Sequence, residues 1–121
     1  MIQSCILFFS MLNGIDPALT KAVISVESSG KVMAIGKSHG ELGLLQIRPQ
    51  YVPENAVQLL NPCTNVMVGT RILGQLKKEC PMCIDKVYVN MYNLGRSGAK
   101  KLRYPRLWKY HRKVLLAMEE R

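Results

Sequence analysis

Of the eight carboxylic acids in this chain, Glu27 is the one placed to work as an acid. It stands near the end of a helix-forming stretch, Asp16 to Gly30. Asp16 suits the N-cap, Pro17 the first helical position and Gly30 a left-handed stop. Leu19, Ala22, Val23 and Val26 form the apolar stripe. Glu27 follows Val23 by one turn, which puts its carboxyl at the margin of the buried face. Partial desolvation and the negative end of the helix both favour the neutral form. A carboxylic acid that stays protonated near neutrality can hand its proton to a leaving oxygen. The other acids have duller readings: Asp16 is spent on its cap, Asp85 reads as a second cap, and Glu54, Glu79, Glu119 and Glu120 look solvated. Only Glu41 remains as a second carboxylate near such chemistry. It lies in a glycine-rich loop, where loop hydrogen bonding and support of the surroundings of Glu27 are the expected duties.

Three further segments stand in fixed order behind Glu27-Ser28. They are Gly40-Glu41-Leu42-Gly43-Leu44-Leu45-Gln46-Ile47-Arg48-Pro49, then Asn65-Val66-Met67-Val68-Gly69 running on to Leu73, then Tyr92-Asn93-Leu94-Gly95. Together they resemble the lysozyme-like domain of the soluble lytic transglycosylases, relatives of goose-type lysozyme, from about Ile15 to Gly98. The pattern there is E-S, G-x-x-G-L-x-Q-(I/M)-x-P, N-(I/V)-x-x-G-x-x-x-L and Y-N-x-G; one motif would be weak, four in order are specific.

The resemblance implies a role for each matching position. Glu27 takes the single catalytic acid/base. Ser28 helps place the sugar and the acid, Gly43, Leu44 and Gln46 belong to the cleft wall, Tyr92 lies close to the catalytic carboxyl, and Asn93 is a cleft asparagine. Asn65 and Gly69 look like scaffold. The implied reaction cuts the MurNAc-GlcNAc β-1,4 bond of peptidoglycan and leaves a 1,6-anhydroMurNAc end, with no cofactor and no metal. An ordinary glycosidase uses two carboxyl groups about 5–9 Å apart; one carboxyl suits a substrate that supplies its own nucleophile. Attack by water at the same site would make the protein a lysozyme-type hydrolase. A non-catalytic basic domain that binds glycan or nucleic acid is the remaining alternative. Leu94, where relatives usually carry alanine, alters the expected subsite floor.

The elements that must position these residues are helices. Met1 to Leu12 predicts a buried first helix closed by Asn13-Gly14, since no basic residue precedes its apolar run and no small-residue cleavage site follows it; a clipped or uncleaved export signal is the alternative. Lys31 to Gly43 is too glycine-rich for a helix interior and predicts an irregular loop or short β-hairpin. Pro53 to Leu60 reads as a short helix with proline in its first turn, and Asn61-Pro62 opens a longer one on which Val66, Gly69, Thr70, Leu73 and Leu76 repeat at helical spacing. Asp85 predicts a cap for a helix from Lys86 to about Leu94, stopped by Gly95. Tyr104-Pro105 starts the last helix, with Leu107, Trp108, His111, Val114, Leu115 and Met118 on its packing face. The prediction is a mainly α, lysozyme-like domain comprising residues 1–121, with any β structure confined to the glycine-rich cleft loop.

Composition narrows the setting. A length of 121 residues suits one domain with one core. A net charge of +9 favours polyanionic partners; acidic wall polymers fit, and nucleic acid is not expected. No apolar run is long enough for a membrane anchor. Cys80-Pro81-Met82-Cys83 lacks the second close pair of a zinc site. A disulfide from Cys63 to Cys80 or Cys83 is the expected pairing, in an oxidising compartment. His39 carries no expected chemistry. A monomer acting on glycan strands in the periplasm or outside the cell, in a secretion apparatus or a phage virion, completes the expectation.

Overall fold

The computed structural model describes residues 1–83, 86, 88, 89, 92 and 106–119. Its helices are α1 (Ile2–Leu12), α2 (Pro17–Ser28), α3 (Ala56–Leu60), α4 (Pro62–Glu79) and α5 (Arg106–Glu119), with a single 3-10 turn at Pro49–Tyr51. α1 packs on α4 and α2, α3 on α4, and α5 on α2. The mainly helical, lysozyme-like architecture is as the sequence predicts.

Local chemistry sets the boundaries. Asp16 caps α2 by accepting from the Ala18 N–H at 2.9 Å, with Pro17 at the first turn. The left-handed stop falls one residue earlier than predicted, at Ser29 (φ 54°), with Gly30 (φ 79°) behind it. α3 is capped at Asn55 and starts at Ala56 rather than Pro53, because Asn55 and Gln58 form a reciprocal capping box at 2.9 and 2.8 Å. Asn61 accepts from Thr64 N–H at 3.1 Å and caps α4, again with proline first. On α4 the predicted stripe of Val66, Gly69, Thr70, Leu73 and Leu76 is buried throughout.

Three expectations are corrected. α1 is not buried all round: it turns Ile6 and Ser10 inward, and leaves Leu7, Phe8, Met11 and Leu12 more than half exposed. It lies on the outside of the bundle, so only one face finds partners. Lys86 cannot open a helix, because its φ is +61°; Val89 and Tyr92 are helical, and the expected cap Asp85, the stop at Leu94-Gly95 and the start at Tyr104-Pro105 lie outside the described residues. The cysteines pair as Cys5–Cys63 and Cys80–Cys83, not Cys63 with Cys80 or Cys83. α4 is the physical reason: it separates Cys63, in its first turn, from Cys80 at its C-cap by most of its length, and a helix rises about 1.5 Å per residue. α1 instead brings Cys5 within 5.5 Å, Cα to Cα, of Cys63.

The stretch between α2 and α3 is the loop that the glycine content predicts. Its β character amounts to two isolated antiparallel bridges, Ile35 with Leu42 and Leu42 with Ile47. Asn65 holds it from below. This fully buried side chain accepts from Leu45 N–H at 2.8 Å and donates to the carbonyls of Leu42 and Leu59, each at 2.8 Å. Gly43 sits at φ +77°, and a Cβ there would come within 2.3 Å of the Asn65 amide. Gly69 admits a close neighbour as expected, but that neighbour is the Leu45 side chain: a Cβ on Gly69 would lie 2.3 Å from its Cδ1.

Candidate active site

α2 delivers Glu27 to the end of its last turn, and α5 lies across it. The Tyr110 hydroxyl donates to Glu27 Oε2 at 2.8 Å. Glu27 is half-buried, and its pKa is raised above 4.5. Loss of hydration is the main cause. The Tyr110 hydrogen bond opposes it by favouring the charged form, and the nearby Glu41 carboxylate adds to it by repulsion. Burial outweighs the hydrogen bond, so the net shift favours the neutral acid.

Glu41 has the opposite environment. Its own backbone N–H is the leading cause that lowers its pKa; the His39 N–H at 2.9 Å and the Ser38 hydroxyl at 3.2 Å add to this. The two carboxyls are shifted in opposite directions, Glu41 toward the ionised form and Glu27 toward the neutral one. Such divergence lets two like groups hold different roles at one pH. Glu41 acts on Glu27 through space, its charge adding to the rise in the Glu27 pKa.

Gln46 lies under the same loop at φ +49°. Its Nε2 donates to the carbonyls of Gly43 at 3.0 Å and Ala34 at 3.2 Å. Its Oε1 converges with Glu41 Oε1 over Gly36, where a Cβ would stand 2.9 and 2.5 Å from these two oxygens. The amide thus spends its donors on the loop and keeps its oxygen beside the acidic cluster.

Tyr92 reaches the site from the far side of the sequence. Its hydroxyl donates to the Leu45 carbonyl. The ring keeps some exposed area, but the hydroxyl is shut in, and burial together with the nearby Glu27 charge pushes its pKa well up. Tyr110 is raised for the same two reasons, with its hydrogen bond to Glu27 and the neighbouring Tyr92 contributing further. Glu27, Tyr92 and Tyr110 therefore lie close enough to feel one another's charge, and both phenols stay neutral donors.

Not every expected contact residue faces outward. Ser28 is buried, its hydroxyl donating to the Ile24 carbonyl at 3.1 Å and accepting from Gly30 N–H at 3.2 Å. It fixes the end of α2, and so the aim of Glu27, from inside. Gly43 and Leu44 are likewise buried; they shape the loop from beneath rather than line a wall. Asn93 lies outside the described residues. Among the described residues no group of His, Cys, Asp and Glu could hold a metal ion.

Tyr110 is the partner that sequence reasoning missed. Its neighbours Lys109, Arg112 and Lys113 suggest a basic outer face, but Tyr110 stands one turn before Val114. Both are buried, and His111 beside them is too. That four-residue spacing was the available signal.

Comparison with known proteins adds an independent line. The family described as Transglycosylase SLT domain matches residues 4–109 of the sequence. A "Peptidoglycan-binding-like protein" of Escherichia coli O157:H7 is 31% identical over 110 residues, covering 74% of this chain and 65% of that relative. The chain thus spans a little under two thirds of the length of the relative it matches.

Proposed function

The chain belongs to the transglycosylase SLT family, and from that membership we propose a peptidoglycan lytic transglycosylase in which Glu27 is the only proton carrier. The observation that carries this reading is the half-buried Glu27, its pKa raised by burial and its carboxyl bound by Tyr110. Glu27 gives its proton to the oxygen leaving C1 of MurNAc. Positive charge develops on the sugar, where the ionised Glu41, the Gln46 oxygen and the substrate's own acetamido group can offset it. Glu27, now a base, takes the proton of the MurNAc C6 hydroxyl, and that oxygen closes on C1 to form the 1,6-anhydro end. Water is not consumed. Glu27 begins and ends protonated, so a raised pKa serves the whole cycle.

The residues 1–121 act as one unit in this proposal, on glycan strands at the cell wall. The two disulfides support an oxidising compartment. No helix among the described residues is long and apolar enough to cross a membrane.

Glu41 supports a second reading. A carboxylate that close to Glu27 could orient a water for attack at C1, which would turn the same site into a hydrolase. Mass spectrometry of released muropeptides separates the two. Products lighter by one water support the transglycosylase; products at the hydrolysed mass support the lysozyme-type reaction; no release by wild type refutes both.

A further inference from the structure

Away from Glu27, the segment after α4 closes on a cavity of about 250 Å³ lined by Asp16, Lys77, Cys80, Cys83, Lys86 and Tyr88. We propose that the Cys80–Cys83 disulfide on this cavity is a thiol–disulfide exchange site, taken by a protein dithiol and serving as a reducible staple for the strand of chain that leads to Tyr92.

Three observations carry this. The two disulfides differ in kind: Cys5–Cys63 joins residues 58 apart in sequence, whereas Cys80–Cys83 joins residues 3 apart. The first holds two helices together. The second closes a turn already made by the Cys83 N–H to Cys80 carbonyl bond at 3.0 Å, so its opening leaves the bundle intact. Both Cys80 and Cys83 border the cavity, with the exposed Pro81 and Met82 between them, which gives an incoming thiolate a route. Finally, Lys86 lines the same cavity, as does Lys77, whose ammonium also donates to the Gly14 carbonyl at 2.7 Å, and cations favour the thiolate that must leave. Among the described residues Asp16 is the one acid there, and its carboxylate accepts from Ala18 N–H.

The direction of attack follows from α4. Cys80 is the C-cap of that helix, where the carbonyl ends disfavour a thiolate. Cys83 is the better leaving group, so the dithiol attacks Cys80 Sγ. One sulfur–sulfur bond forms to Cys80 as the Cys80–Cys83 bond breaks, and Cys83 departs as a thiolate that takes up a proton. The second thiol of the partner then displaces Cys80 and closes the partner's own disulfide. Two electrons and two protons have moved from the dithiol to the cystine. Downstream, Tyr88 and Val89 are buried, Val89 N–H donates to the Lys86 carbonyl at 3.0 Å, and Tyr92 latches Leu45. Reduction therefore removes the anchor at the head of that run.

The oxidised full chain is titrated with dithiothreitol in native buffer, quenched by alkylation and read by peptide mass spectrometry. Cys80 and Cys83 are expected to label at about tenfold lower dithiol than Cys5 and Cys63, with circular dichroism unchanged and faster hydrogen exchange at Val89. Simultaneous labelling of all four cysteines, or labelling of Cys80 and Cys83 only where the helical signal is lost, overturns the proposal. Lys86→Gln should slow the first reduction severalfold while Lys109→Gln does not; equal rates would remove the role given to the cavity lysines. A monothiol trap should be found on Cys80, and its capture on Cys83 would reverse the direction of attack.

Discussion

Removing water from around Glu27 penalises its charged form more than the Tyr110 hydroxyl rewards it, and this balance can be read by titration. The native pKa lies above the unfolded one, so between the two values the folded chain binds more protons than the unfolded chain. The stability contributed by the neutral acid is complete below 4.5 and is lost as pH rises through the folded value. Glu27→Gln removes that loss. The variant should melt higher than wild type at neutral pH and no higher below pH 4.5, while wall clearing falls by about 10²–10⁴-fold, the usual worth of a general acid. Equal clearing by both proteins would end the catalytic assignment. Tyr110→Phe deletes a donor that favours the carboxylate. The Glu27 limb of the pH–rate profile should then move to higher pH, and stability should fall by about 1 kcal/mol. An unmoved limb would mean that Tyr110 only packs. The sequence made Glu27 legible, because a helix stripe marks its own margin. For Tyr110 the spacing to Val114 marks burial, but a phenol that bonds across 83 positions leaves no local trace of its partner.

At the scale of elements, the loop from Ala34 to Ile47 has little regular structure of its own and is held by α4. Asn65 alone serves one N–H and two carbonyls there. Asn65→Ala would leave three buried groups unmet, at about 1–3 kcal/mol each, so a loss above ~3 kcal/mol is expected in urea unfolding. Asn65→Asp keeps the acceptor for Leu45 but sets an oxygen against two carbonyls, and should not rescue. A loss below ~1 kcal/mol in the alanine variant would show that water replaces the amide. The helices and this loop were readable because caps, prolines and glycines act within a few residues: Asp16, Asn61 and Gly43 all do what their types suggest. The inward turn of Ser28, Gly43 and Leu44 was not readable, since a motif fixes which residues meet at a site but not which side of the loop they face. The shift of the α3 start to Ala56 reflects a reciprocal cap at Asn55 that outweighed proline's preference for the first turn.

At the scale of the whole molecule, α1 packs through one face only, on α4 and α2, and leaves the other to solvent. Its contacts run along α4: Asn13 donates to Thr70 Oγ1 at 3.1 Å, Lys77 Nζ donates to the Gly14 carbonyl at 2.7 Å, and Cys5 is tied to Cys63. The disulfide is the dominant tie, because it closes a loop spanning 58 positions, whereas Cys80–Cys83 spans 3. Loop-closure entropy assigns roughly 4 kcal/mol to the long loop and roughly 2 kcal/mol to the short one. A Cys5→Ser/Cys63→Ser double variant should therefore lose about twice the stability of Cys80→Ser/Cys83→Ser in denaturant unfolding. It should also expose the amides of α1 to hydrogen exchange before those of α2 and α4. Equal losses from the two pairs would mean that α1 is held by its packing. In that case the pairing of Cys5 with Cys63 would matter for how the chain finds its fold rather than for how firmly it keeps it.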